Sequence, residues 1–250
     1  MRVTVLGCGT SGGVPVLGNY WGNCDPDNPK NRRSRVSVAV EQDDKRLIID
    51  TSPDLREQCL ANDISEVDGV LFTHDHADHT HGIDDLRIIA LRRRARVPIF
   101  ANRDTLGTLN RRFDYIFESH DGYPAICDGH EIMGPFNHAG FDITPFDQDH
   151  GNITTLGFRI GDFAYSTDVV SLDDAAFEAL AGVKVWVVTA LRYEPHPTHA
   201  HLEQTLEWIE RVKPDRAYLT HMTWEMDYET LMAELPAGVE PAYDGLVIDL

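Results

Sequence analysis

Three things are in short supply in this chain: cysteine, long apolar runs and positive charge. The 250 residues include four cysteines, Cys8, Cys24, Cys59 and Cys127, far apart and in no paired motif. That pattern excludes a disulfide-built scaffold and points to a reducing compartment, so a cytoplasmic location is expected. No apolar run approaches the ~18 residues needed to span a bilayer, so no membrane partner is expected. The first residues enter a strand-like pattern at once, which predicts no signal peptide. Lys and Arg number 22 against 41 Asp and Glu, a formal charge of −19. A long nucleic acid needs a basic footprint, so none is expected as a partner. Basic residues cluster only at Lys30–Arg35 and Arg92–Arg96. Each cluster reads either as a solvated face or as local attraction for a small phosphate ester. No linker-like composition break and no solenoid repeat is visible, which predicts one domain over residues 1–250.

Against this background one segment stands out, Thr73-His74-Asp75-His76-Ala77-Asp78-His79. It places three imidazoles and a carboxylate at i, i+2, i+4 and i+5. Histidine is 12 of 250 residues. Three at fixed offsets should arise by chance about once in ten thousand start positions, even before the Asp is required. Packing asks for no such spacing, whereas a two-metal site does. Imidazole and carboxylate suit zinc, manganese or iron. The apolar run before it reads as a buried strand, and a helix-like pattern follows Gly82. The cluster therefore sits in a strand-to-helix loop.

These residues form the HxHxDH pattern of the metallo-β-lactamase superfamily, which the chain resembles along nearly its whole length. The resemblance calls for three further ligands after strands. His150, Asp168 and His221 stand in the required order. It implies that His74, His76 and His150 hold one divalent ion. Asp78, His79 and His221 would hold a second, and Asp168 would bridge the two. Zinc and manganese are the expected pair members, sharing a hydroxide that attacks the substrate. Redox members of the superfamily carry Glu where this chain has His76, so a hydrolase is expected.

The phosphodiesterase branch is the better match. It includes the phosphoribosyl 1,2-cyclic phosphate phosphodiesterases and the tRNA 3′-processing endonucleases. The shared features are the glycine-rich start, Gly9 to Pro15, the His199 segment, Thr220-His221 and Tyr243-Asp244-Gly245. The resemblance implies that His199 protonates the leaving oxygen. His201 would orient it or lie on the surface, and His196 reads as a surface residue. Asp78 belongs to the catalytic set as well as the ligand set. Asp50 reads either as an acceptor for a ligand N–H or as a helix cap. Arg35, Arg192 and Tyr193 are candidates for substrate phosphate contacts. The Cys-rich structural zinc knuckle of the branch has no counterpart, since Cys24 is the one thiol in that region and Trp224 replaces its histidine. One thiol cannot make such a site.

Strands are predicted at 2–6, 36–40, 46–50, 69–72, 97–100, 141–146, 155–160, 163–166, 183–189, 216–220 and 246–249. Helices are predicted at 53–61, 83–94, 103–113, 173–181, 201–212 and 228–234. Asp43-Asp44 reads as a hairpin turn. The glycine-rich start lacks the Lys-Ser/Thr of a phosphate loop, and no helix follows it, so it reads as tight backbone packing beside the metal site. The fold implied is an α/β protein, the four-layer αββα sandwich. The function implied is metal-dependent hydrolysis of a small, cyclic or nucleotide-type phosphodiester. RNA processing, acyl hydrolysis and a non-catalytic nucleotide sensor are the alternatives. The sequence does not decide between a monomer and a homodimer.

Overall fold

A computed structural model describes residues 1–120 and 122–250. Among these, the strands form two seven-stranded sheets. The first sheet contains β1 (Arg2–Gly7), β2 (Ser37–Gln42), β3 (Lys45–Ile49), β4 (Gly69–Leu71), β5 (Val97–Ala101) and β6 (Cys127–Glu131) in order, with β14 (Leu246–Asp249) beside β1. The second contains β7 (Phe136–His138), β8 (Phe141–Asp149), β9 (Thr154–Ile160), β10 (Phe163–Ser166), β11 (Val185–Thr189), β12 (Arg216–Thr220) and β13 (Val239–Pro241). In both sheets an antiparallel meander gives way to three parallel pairings. The two halves thus repeat one topology, although no sequence similarity between them is visible.

The period of two in the strands builds the layers. Val38, Val40, Leu47 and Ile49 join Phe141, Ile143, Phe158 and Ile160 in one apolar cluster. Their neighbours Ala39 and Ile48 turn the other way, into a second cluster with Leu55, Ile83, Leu86 and Ile89. Strands buried on both faces read as continuous apolar runs, as β11 does. Helices α1 (Leu55–Ala61), α3 (Leu86–Arg93), α4 (Arg103–Arg112) and α5 (Asp114–Phe117) cover the first sheet. Helices α6 (Asp174–Leu180), α7 (Leu202–Val212) and α8 (Tyr228–Glu234) contribute Leu180, Trp208 and Leu231 to the other cluster. The four layers of the αββα sandwich are therefore present, in a single unit.

Several boundaries differ from the sequence reading for local reasons. The helix expected from 53 begins at Leu55, because the Asp54 carboxylate pairs with Arg35 instead of capping. The helix expected over 83–94 opens as a 3₁₀ turn, Ile83–Asp85. It ends at Arg94, which adopts φ 53°. Strands β6, β7 and β13 were not expected. They are short, all three lie on sheet edges, and β6 carries mostly exposed polar residues. Strand β8 runs three residues beyond the expected end, and that extension carries the chain to His150.

Candidate metal centre

The carboxyl ends of β3, β4, β8, β10 and β12 converge at one end of the sandwich. The first sheet delivers its part in one piece. After β4 the chain leaves Thr73, turns through His74 and His76, and forms one helical turn, α2 (Ala77–Thr80), that carries Asp78 and His79. The Thr51 amide donates to the His79 carbonyl at 2.8 Å, and the Thr80 hydroxyl donates to the His76 carbonyl at 2.8 Å. The second sheet delivers its part residue by residue: His150 after β8, Asp168 after β10 and His221 after β12.

Asp168 lies at the middle, and its two oxygens face different partners. Oδ1 is 3.9 Å from His74 Nε2 and 3.7 Å from His150 Nε2. Oδ2 is 3.1 Å from His79 Nε2 and 3.4 Å from His221 Nε2. Asp78 Oδ2 completes the second set, 3.4 Å from His79 Nε2 and 3.7 Å from His221 Nε2. His76 joins the first set, its ring 4.4 Å from that of His74 and 5.3 Å from that of His150. Ligand atoms within 4.8 Å of one another define the groups His74/His76/His150/Asp168 and Asp78/His79/His221. A third group, Asp168/His199/His221, overlaps them. All seven residues named as ligands from the sequence are thus brought together, and His199 lies with them. His76 is exposed while the other histidines of the two sets are buried.

The donor set fits divalent cations. The Nε2 atoms of His74, His79 and His221 are buried without a hydrogen-bond partner. Leaving a buried polar atom unpaired costs about 1–3 kcal/mol, so a set of them aimed at one carboxylate is a place for ions. The opposite nitrogens are tied down. His150 Nδ1–H donates to the Thr198 carbonyl at 2.7 Å, and His79 Nδ1–H donates to Asp50 Oδ2 at 2.7 Å. Asp50 is thus the acceptor for a ligand N–H and not a helix cap.

Charge in the cluster is polarised. Burial works against ionising Asp168, but His221 and His79 hold its carboxyl well below the usual range. Burial also opposes a charge on His79, yet Asp168, Asp78 and Asp50 hold its imidazole well above its ordinary value. Burial and the neighbouring His79 push His74 well below its own. Three carboxylates that can hold a proton on one ring can hold a cation in its place. Asp50, Asp168 and His221 also share a left-handed backbone, with φ of 62°, 51° and 57°.

A cavity of about 240 Å³ opens on the cluster, lined also by Ser11, Asn152, Ile153, Thr198 and His199. Ser11 belongs to the glycine-rich start. There a Cβ on Gly9 would lie 2.9 Å from the Arg33 carbonyl, the close packing expected of that segment. A larger cavity of about 720 Å³ shares Asn152 and Ile153 with it and carries Asp104, Asp147 and Asp173. The larger one holds fewer of the converging ligands, so the chemistry belongs to the smaller.

His199 packs against His150 and His221, with ring centroids 4.6 and 4.9 Å away. Its Nδ1 is sealed from solvent, 3.8 Å from Asp168 Oδ1, which leaves Nε2 as the atom facing the cavity. Burial and the neighbouring His221 push its imidazole down to about 3. His201 caps the start of α7 through its backbone, and among the described residues no hydrogen bond joins it to His199. His196 accepts from the Thr198 amide at 3.3 Å and stiffens the loop.

The three candidates for phosphate contact are engaged elsewhere. Arg35 forms a two-pronged pair with Asp54. Arg192 donates to the carbonyls of Glu194 and Pro195, and the Tyr193 hydroxyl bonds Glu234. Around Cys24 the buried Arg33 guanidinium joins three segments, donating to the carbonyls of Thr223 and Met226 and to Asn31 Oδ1. Sequence reasoning missed Thr73, Thr198, Asn152 and Ile153. Thr73 alone carried a signal, since Thr also precedes the ligands Asp168 and His221.

Residues 45–222 match the model of the Beta-lactamase superfamily domain. The chain belongs to the beta-lactamase superfamily. A solved diphosphatase of the PhnP family shares its fold with TM-score 0.91 and 38% identity, over all of this chain and 97% of that one. The Zn²⁺-bound PqqB of Methylobacterium extorquens gives 0.80 at 20% identity, covering both chains in full, a likeness of fold alone. An octanoyltransferase of Porphyromonas gingivalis is 33% identical over 98% of this chain and 51% of its own length. The chain thus spans about half the length of the curated relative it matches. Fold and sequence thus set the chain beside a hydrolase of its superfamily, and its histidine–aspartate groups are of a kind that could hold metal ions. No helix among the described residues is long and apolar enough to cross a membrane.

Proposed function

We propose that the protein is a dinuclear-metal phosphodiesterase for a small diester or diphosphate-linked substrate. The observation that carries the proposal is the split of Asp168, one oxygen to each set of ligands. His74, His76 and His150 would hold one ion, and Asp78, His79 and His221 the other. Zinc and manganese both suit this donor set. When bound, such a pair lowers the pKa of water toward ~7 and neutralises charge on phosphoryl oxygens.

The chain's own residues supply the rest. His199 Nε2 faces the space where a leaving oxygen would stand. The P–O bond to that oxygen breaks as the new bond to water oxygen forms, and a proton must reach the departing atom. In the free cavity His199 is neutral at neutral pH, since its imidazole is pushed down to about 3. An anionic phosphoryl group beside it would favour the charged form, which is the acid. Asn152 and Ile153 line the cavity beside the ligand groups, where they can contact the group that enters. The charge of −19 and the small cavity favour a small substrate over a polynucleotide.

Hydrolysis of bis(p-nitrophenyl) phosphate tests the proposal, with the protein stripped of metal and then reloaded with zinc or manganese. A p-nitrophenyl ester and a dinucleoside diphosphate run beside it. Metal-dependent cleavage of a phosphate substrate, weakened in His199→Ala, is the expected result. Ester turnover with no phosphate cleavage under either metal would overturn it.

A further inference from the structure

We infer that Thr73 is a positioning residue whose hydroxyl lets one buried carboxylate, Asp50, orient ligands in both metal sets. The inference rests on the two-ion reading of the centre and concerns a residue outside both ligand sets.

The geometry fixes the direction of each hydrogen bond. Asp50 is fully buried, and its carboxylate accepts from three donors. The Thr73 amide reaches Oδ1 at 2.8 Å, and the Thr73 hydroxyl and His79 Nδ1–H both reach Oδ2 at 2.7 Å. A hydroxyl has one hydrogen, and here Asp50 takes it. The oxygen that remains is an acceptor, and His74 Nδ1 lies 3.0 Å from it. His74 Nδ1 must therefore carry the hydrogen, which leaves the Nε2 lone pair bare. That Nε2 is buried, lacks a partner and points toward Asp168 Oδ1.

Asp50 thus sets the tautomer of His79 directly, in one ligand set, and of His74 through Thr73, in the other. The backbone holds Thr73 between the two. Its carbonyl accepts from the Leu156 amide at 2.9 Å, a bond that joins the first sheet to the second. Removing the hydroxyl leaves His74 Nδ1–H facing an apolar group. The ring then gains by moving its hydrogen to Nε2, the atom a metal needs unprotonated. His79 keeps its own bond to Asp50 and is spared.

The test uses the full chain with Thr73→Val, Thr73→Ser and Asp50→Asn variants. Zinc titration against a chromophoric chelator reads the affinity of each ion. Imidazole ¹⁵N spectra of the metal-free protein read the tautomer of each histidine. In Thr73→Val, one of two zinc affinities should fall about 10–100-fold while the other stays near wild type. The His74 resonances should change from the Nδ1–H to the Nε2–H pattern. Thr73→Ser should restore both readings, and Asp50→Asn should weaken both ions. Two zinc ions held as tightly in Thr73→Val as in wild type, with His74 unchanged, would overturn the inference. Fewer than two ions in the wild type would instead sink the two-ion reading, and the ¹⁵N spectra would still decide the role of Thr73. A valine variant that failed to fold moves the comparison to Thr73→Ala against Thr73→Ser, where equal spectra and affinities would overturn the inference.

Discussion

The two sheets supply the same centre in opposite styles. The first gives four ligand candidates, His74, His76, Asp78 and His79, from six consecutive residues behind one strand. The second gives His150, Asp168 and His221, one from each of three strand ends. The first set is a local property, held by one loop and a single helical turn. The second exists only when β8, β10 and β12 are in register. A centre of this kind is therefore a report on the second sheet: the loop can offer its ligands early, but only the completed sheet closes the site.

The largest expected effect comes from breaking the one residue that belongs to both sets. Asp168→Asn should lose both ions by metal analysis and lower phosphodiester hydrolysis by at least about a thousandfold. His76→Ala should instead lose one ion, so equal metal content in the two variants would erase the distinction. Next is His199→Ala, which should lower kcat about 10²–10⁴-fold with two ions retained. Loss of an ion in that variant would make His199 a ligand, as its place in the third group of donors allows.

A core change separates the sheets energetically. Phe158 lies fully buried between them on β9. Phe158→Ala should cost about 3–5 kcal/mol in denaturant unfolding. A comparable loss should not follow from Ala77→Gly at the exposed start of α2.

Asp244 offers a control outside both sets. Its carboxylate accepts from Ser34 and from the Cys8 amide, and burial raises its pKa to about 6. A carboxyl raised in the folded state is stabilising below its unfolded value near 4 and loses that contribution as pH rises through 6. The difference corresponds to about 3 kcal/mol. Wild type should therefore lose stability relative to Asp244→Asn between pH 4 and pH 7, read by urea midpoints. A constant gap between the two proteins would refute the assignment. The smallest effect is expected at Arg192, whose guanidinium serves its own loop. Arg192→Met should change KM by no more than about twofold.

Legibility followed the same divide. The histidine loop could be read directly, because its information is contiguous. His150, Asp168 and His221 are unremarkable singly, and a family resemblance was needed to order them. The layered fold was legible because buried strands such as Val36–Val40 and Val185–Thr189 are apolar but for Ser37 and Thr189. Strands β6 and β7 were not, since pairing with a neighbour and not side-chain character makes them strands. Arg35 looked available for a phosphate, but its partner Asp54 lies nineteen residues away, a contact that only tertiary structure reveals.

The left-handed backbone at Asp50, Asp168 and His221 has a further consequence. Each such non-glycine position costs on the order of 1 kcal/mol, and each here also carries a buried polar side chain. The apo chain is therefore tuned below the thermal tolerance its scaffold could reach. Ions that bind only the folded form would offset that deficit, by an amount that grows with their free concentration. The melting temperature should then climb with added zinc or manganese, a gauge of ion binding that needs no substrate to read it.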